Sequence, residues 1–397
     1  MRLKTATIIA TIFFALVSCS KNEEPFVPVY LQSSTDKLGR TSGELKTFIG
    51  QTTLSSLTSQ LLYDVELYSV TYKTTYMGNT ITASGLVILP ITTASVGMVS
   101  FHHGTIASHN EAPTTLPLNS TELIIYTALA SPGFIAVIPD FIGFGSSSNV
   151  LHPYYVQEAT ATPVMDLLRA ARELAIQKKV SFNGKLFLAG YSQGGYVTMA
   201  THKAIEKNGL ENFNLIASFP SSGGYDVKGM QNYFFGLTTY DQPFYLAYVA
   251  MAYRTYYNWS QPLSDFFQSK YATTIPSLLD GTKNADQINA ALNDTIPKFV
   301  NPDLLSTINT NSKYQYIVDA FNQNSLTDWA PTKIIHMYHG DADITVPYQN
   351  SVDTYNKLIS NGASPSILTF TPLPGKTHGT GVVPYIQQFI PTMISLK

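Results

Sequence analysis

Residues 185–205, KLFLAGYSQGGYVTMATHKAI, set one serine among glycines, after an apolar run and before a helical pattern. Glycine is entropically unfavourable inside a strand or a helix. Gly190, Gly194 and Gly195 around Ser192 therefore need a reason. A tight turn accounts for one of them. A serine forced onto a sharp, exposed strand-to-helix elbow accounts for the set, because strand and helix then pass close together where side chains are missing. That elbow demands a strand ending at Ser192, a helix following it, and a sheet wide enough to hold the strand.

The rest of the chain supplies such a sheet. VELYSVTYKTT and TITASGLVILP are β-rich runs joined by the turn signal YMGN, and an apolar run ending in MVSFHHGT follows. From there, apolar strands (FIAVIPD, KLFLAG, FNLIASFPSS) alternate with helical patterns. The first is STELIIYTALASPG, with Gly133 as its C-terminal cap. In PVMDLLRAARELAIQ, Val164, Leu167, Leu168, Ala171 and Leu174 fall on one face and Arg169, Arg172 and Glu173 on the other. Fully apolar strands between helices indicate a mostly parallel sheet covered on both faces. The alternation breaks near Gly224, where an aromatic-rich, irregularly helical stretch begins, and resumes at KIIHMYHGDADITVP. The reading is one α/β domain: residues 44–224 and 331–397 form the core, and 225–330 form an inserted helical cap. The Tyr/Phe cluster from Phe244 to Trp259 reads as cap core rather than pocket lining.

A serine hydroxyl needs a base to take its proton. On a nucleophile elbow the partners follow in the order Ser, acid, His. The later histidines are His202, His336, His339 and His378. His202 falls within the helix after the nucleophile and is expected to face solvent. His336 lies inside a strand, as a core histidine does, and His339 precedes Gly340 and shapes a turn. His378, in the loop PGKTHGTG after the last strand, is where a base belongs. For the acid, HGDADITVP offers Asp341 and Asp343. An oxyanion hole requires two backbone donors. The amide of Gln193 is one, and FHHGT offers His103, Gly104 and Thr105 for the other, with Thr105 preferred. His102, His103 and His109 have no carboxylate or cysteine beside them at ligand spacing, so no metal is expected. GFGSSS has too few glycines for a dinucleotide loop, and no cofactor is expected either.

HHGT, PDFIGFGSS, GYSQGG, HGDADITVP and THG, in that order, resemble an α/β-hydrolase. The pattern is similar to the secretory lipase family of fungi and bacteria, with relatives among tripeptidyl-type peptidases, over residues 65–397. The resemblance implies carboxylic ester hydrolysis through an acyl-enzyme. The family string H-G-x-x-D-x-x-V-P places the acid at Asp343.

The beginning of the chain points to a location. Arg2 and Lys4 precede an apolar stretch, Ile8 to Val17, too short to span a bilayer. LVSC ends in Cys19, the only cysteine, and resembles a bacterial lipobox, with the signal (1–18) cut before an acylated thiol. SKNEE resembles an acidic surface-export tag, and residues 19–43, rich in Ser, Thr, Pro and Gly, read as a tether. A lipoprotein of the bacterial outer membrane is expected, bound to the membrane through its lipid and possessing no nucleic-acid footprint, since the net charge is only −2.

Two other functions compete with a lipid-anchored esterase acting on a small-molecule ester. A peptidase would need a fixed charge for the substrate terminus, and the cap's Asp241, Asp265, Asp280, Asp286 and Asp294 form no paired-acid motif. A binding lipoprotein on a dead hydrolase scaffold would have no physical need for all three catalytic groups.

Overall fold

The computed structural model describes residues 26–397, so the signal and Cys19 lie outside the described residues. The strands are β1 (Leu31–Arg40), β2 (Val65–Tyr76), β3 (Asn79–Pro90), β4 (Val96–His102), β5 (Phe134–Pro139), β6 (Phe182–Tyr191), β7 (Asn214–Ser221), β8 (Ile334–Gly340) and β9 (Leu368–Leu373). They form one nine-stranded sheet in the order β1-β2-β3-β5-β4-β6-β7-β8-β9. The β1–β2, β2–β3 and β3–β5 pairs are antiparallel, and every pair from β5 through β4 to β9 is parallel. Met77 and Gly78 turn the β2–β3 hairpin at φ 49° and 77°, the left-handed backbone that a two-residue hairpin loop demands.

The sheet is covered on both sides. Helices α1 (Ser42–Gly50) and α2 (Thr121–Ala128) lie on one face with the C-terminal helix; α3 (Gln157–Gln177) and α4 (Gln193–Asn208) lie on the other. Strands β4 and β5 are buried along their full length, as the continuous apolar runs required. The cap follows β7 and comprises α5 (Val227–Phe235), α6 (Pro243–Tyr256), α7 (Ser269–Leu278), α8 (Ala285–Ala291), α9 (Ile296–Phe299), α10 (Pro302–Thr307) and α11 (Gln315–Asn324). The chain then returns through β8 to α12 (Tyr348–Ser360), β9 and α13 (Val382–Ser395). Asp226 fastens the base of the cap. It caps α5 at Gly229 N (2.8 Å), accepts from Ser325 Oγ at the cap's far end (3.2 Å) and pairs with Lys357 of α12 (2.5 Å).

Two expectations change. Part of the segment read as a tether is structure: β1 pairs with β2 from Leu31↔Tyr72 to Arg40↔Val65. Its residues are mostly exposed, and an edge strand with one open side is free to be as polar as a linker. Glu173, placed on the solvent face of its helix by periodicity, is buried instead. Its carboxylate accepts from the amides of Val29, Tyr30 and Leu31 at 2.8, 2.9 and 2.7 Å and so secures the start of β1. The helix itself begins at Gln157 and carries Pro163 within it, rather than starting there.

Candidate active site

The elbow is built as its glycines require. Ser192 sits at φ 59° and ψ −124°, a conformation that an L-residue adopts only under constraint. A Cβ on Gly190 would strike the Gly194 carbonyl, one on Gly194 the His102 carbonyl, and one on Gly195 the Ser221 carbonyl. Each glycine is thus demanded by a close backbone approach. Ser192 N donates to Ser221 O (2.9 Å), and the amides of Gly195 and Tyr196 return to Ser192 O at 2.9 and 3.2 Å. The serine therefore stands at the N-terminus of α4, where the helix dipole favours negative charge.

Register brings the other groups to the same edge. Tyr191 is level with Ser221, Ser221 with Tyr338, and Gly340 with Leu373. The loops after β6, β8 and β9 consequently converge, and they carry Ser192, Asp343 and His378. His378 Nε2 lies 2.9 Å from Ser192 Oγ, and His378 Nδ1 lies 2.6 Å from Asp343 Oδ2. Because the carboxylate only accepts, Nδ1 carries the proton and Nε2 presents its lone pair to the serine hydroxyl. The His378 carbonyl accepts from Tyr191 Oη at 2.7 Å, so the base's own loop is anchored beside the nucleophile.

Asp343 is 3% exposed. Its Oδ1 accepts from the amides of Thr345 and Val346, both at 3.0 Å. Burial pushes the carboxyl up, but hydrogen bonds from His339 and His378 outweigh it and hold it down at about 2. It is therefore ionised throughout the neutral range. Asp341 is instead exposed and accepts from Gly375 N at 2.6 Å, three residues before His378 in the same loop.

The other histidines take up structural partners. His202 is fully buried, against the solvent exposure expected of it. It contacts Ser218 Oγ at 2.7 Å and Glu206 Oε1 at 3.0 Å beneath Trp329. The apolar face of α4 alone does not predict this, since the polar partner comes from β7. His336 is half-buried and bonds Thr369 Oγ1 at 2.8 Å. His339 does more than shape a turn. Its Nε2 is 3.1 Å from Asp343 Oδ2, and its Nδ1 is 2.6 Å from Ser351 Oγ. The four-residue spacing to Asp343 was the available signal. His102 contacts Ser100 and Thr198, and His103 Nδ1 donates to Gly104 O. Together with His109 they form no metal-ligating group, and none of three or more His, Cys, Asp or Glu occurs among the described residues.

Gln193 is buried immediately after the nucleophile. A Cβ at Gly104 would lie 3.8 Å from Ser192 Cβ, so the HHGT loop flanks the serine, and Thr105 follows at its end. Sequence reasoning passed over His152 and Tyr154. Neither stands in a motif that distinguishes it, yet Gln193 Nε2 lies 2.6 Å from His152 Nε2 and Thr105 Oγ1 lies 2.8 Å from Tyr154 Oη.

A cavity of about 100 Å³ opens from Ser192 into the cap. Its walls are apolar and aromatic, including Phe234, Val249, Trp259, Leu304 and Phe321, with no Asp, Glu, Lys, Arg or His among them. The aromatic run from Phe244 to Trp259 serves two purposes. Phe244 and Tyr253 are fully buried in the cap, while Tyr245, Val249, Tyr253 and Trp259 line the cavity.

The profile of the secretory lipase family matches residues 108–208. The fold is similar to that of a Legionella pneumophila protein provisionally designated a hydrolase: TM-score 0.83 and 26% identity over 93% of this chain and 98% of that one. It is also similar to the rice cell wall degrading esterase LipA of Xanthomonas oryzae in a ligand-bound form, with TM-score 0.77 and 23% identity over 92% and 96% of the two chains. Candida antarctica lipase A in its closed state aligns with TM-score 0.65 and 16% identity over 91% and 82%. No curated protein matches the chain.

The chain has the α/β-hydrolase fold and resembles the secretory lipases over residues 108–208. The candidate site lies at the carboxyl edge of the parallel strands, where open α/β sheets bind ligands. The comparisons support a hydrolase of the lipase and esterase type.

Proposed function

We propose that this protein is a serine hydrolase of carboxylic esters, with Ser192 as nucleophile, His378 as base and Asp343 as orienting acid. The observation that carries the reading is the continuous hydrogen-bonded line from Ser192 Oγ through His378 to Asp343, opening onto an uncharged cavity. Ser192 Oγ attacks the ester carbonyl carbon while His378 Nε2 takes the hydroxyl proton. Asp343 holds the imidazole tautomer and stabilises the imidazolium. The carbonyl oxygen becomes an oxyanion facing the amide of Gln193, at the N-terminus of α4, and that of Thr105, in the loop after β4. Collapse breaks the ester C–O bond, and His378 returns the proton to the leaving alcohol. Water, deprotonated by the same histidine, then attacks the acyl-enzyme, releasing the acid and restoring the serine.

The cavity supports an apolar acyl group as the substrate portion that enters it. Each buried methylene is worth about 0.8 kcal/mol. A free peptide amine would find no carboxylate on those walls and would be buried unpaired, which is costly. We therefore favour uncharged esters over peptides. Fluorophosphonate labelling of Ser192, with steady-state kinetics on an acyl-ester series and on tripeptide amides, tests this. Covalent labelling with ester turnover well above amide turnover is expected. Efficient amide cleavage with slower esters would move the protein to the peptidases, and an unlabelled Ser192 would leave a binding protein.

We also infer that Cys19 is acylated and holds the enzyme on the bacterial envelope. The family's secretory character and the LVSC string support this. Among the described residues no helix is long and apolar enough to cross a membrane. Cys19→Ala should leave the membrane fraction or keep its signal uncut; a variant that partitions like the parent rules out the anchor.

A further inference from the structure

The two residues proposed to supply the oxyanion-hole amides come from distant parts of the sequence, yet their side chains are tied to one short segment. Gln193 Nε2 lies 2.6 Å from His152 Nε2, and Thr105 Oγ1 lies 2.8 Å from Tyr154 Oη. The segment His152–Tyr155 is itself pinned on every side. His152 Nδ1 donates to Ile142 O at 2.6 Å, which leaves Nε2 as an acceptor for the Gln193 amide. Burial pushes the His152 imidazole down to about 4, so this tautomer persists at neutral pH. Gln193 Oε1 has no partner among the described residues, so His152 alone ties that side chain. The next link runs to the cap. Tyr154 stacks on Tyr248 of α6, with ring centroids 4.7 Å apart and an interplanar angle of 11°. Tyr155, at φ 57°, offers its carbonyl to Tyr253 Oη of α6 (2.8 Å) and to Tyr196 Oη of α4 (3.2 Å).

We propose that His152 and Tyr154 are positioning residues that set the oxyanion hole from both sides and couple its geometry to the cap helix α6. Neither touches the reacting atoms. They act through Gln193 and Thr105, so their removal lowers stabilisation of the tetrahedral oxyanion while substrate binding is kept. Through these contacts the segment joins both sides of the hole to the cap. Substrate seated against α6 thereby bears on the hole that stabilises its own transition state.

The inference rests on the serine-esterase reading, and its test separates the two. Tyr154→Phe keeps the ring stack on Tyr248 and removes only the hydroxyl. Thr105→Val removes the other half of the same contact. Turnover per serine titrated with a fluorophosphonate, KM, and affinity for a boronic acid that forms a tetrahedral adduct are measured for the parent, both single variants and the double variant. Each single variant should lose about tenfold in kcat with KM unchanged, less than the ~10²–10³ lost with a whole oxyanion donor. The boronic acid should weaken by the same factor, and the double variant should be no worse than either single one. Losses that multiply in the double variant, or that fall on KM or on the titratable fraction instead of kcat, overturn the positioning role. Tyr248→Ala reads the cap link with acetyl esters, whose short acyl group gains little from the cavity. Slower acetyl turnover is expected, and a defect confined to long-chain esters overturns the link. A Ser192→Ala variant with parental turnover overturns both readings, whereas an inactive Ser192→Ala with an additive cycle overturns only this one.

Discussion

The sheet edge and the cap cavity meet at Ser192 but are built on opposite plans. At the edge directional bonds hold the polar groups, and Asp343 alone receives four hydrogen bonds, from His339, His378, Thr345 and Val346. Across the cavity the walls are aliphatic and aromatic, held by packing without a charged group. Directional bonds fix atoms to a fraction of an ångström, as proton transfer requires. Apolar walls fix only shape and volume. Chemistry should therefore be sensitive to single atoms at the edge, whereas the cavity should respond in proportion to area.

The sharpest break of that contrast is Asp343→Asn. It keeps the shape but offers an amide where the tautomer needs an acceptor, and turnover should fall ~10⁴-fold, as in serine proteases. Asp341→Asn, on the loop held to Gly375, should stay close to the parent. Steady-state rates on a short ester decide it, and the reverse ranking would sink the assignment. Next comes the cavity. From acetyl to hexanoyl esters, four added methylenes at about 0.8 kcal/mol each amount to a gain of ~10² in kcat/KM. Val249→Trp, which projects bulk into the cavity, should remove most of that gain and leave acetyl esters nearly unchanged. A flat acyl series would show that the cavity does not hold the chain.

A smaller effect separates support from chemistry at the edge itself. His339→Leu strips one donor from the Asp343 carboxylate and should cost about tenfold in kcat, in line with the ~1.5 kcal/mol of a hydrogen bond to a charged group. His339→Gln, whose amide can reach the same oxygen, should recover most of the rate. Equal losses in both variants would show that the ring contributes packing alone.

The mildest handle is pH. Burial lowers His102 to about 3 and His103 and His152 to about 4. In the unfolded chain each titrates near ~6.5. The folded values are the depressed ones, so these histidines contribute stability that is complete above pH ~6.5 and is lost as pH falls towards 4. The slope is at most about 1.4 kcal/mol per pH unit for each. Asp140, whose carboxyl burial pushes up, works in the opposite sense and offsets part of it. Melting temperature should drop by a few degrees between pH 6.5 and 5.5. A melting temperature constant across that range would contradict the buried neutral state of these rings.

The same contrast explains what could be read in advance. The elbow was legible because close backbone approach admits only glycine, so Gly190, Gly194 and Gly195 wrote the strand, the turn and the helix into the sequence. His378 was legible because a base must follow the last strand, and the sheet because buried parallel strands leave long apolar runs. Features that join distant segments by a single side chain were hidden. Glu173 looked like a solvent residue until β1 brought three amides to it. His202 looked exposed until Ser218 and Trp329 closed over it. His152 and Tyr154 carried no local mark at all. Local chemistry and periodicity determine which elements form and which residue types must sit at a turn. Which polar atoms find each other across 16 to 144 residues is decided only when the chain closes, because a hydrogen bond depends on distance and angle in space and leaves no period in the sequence.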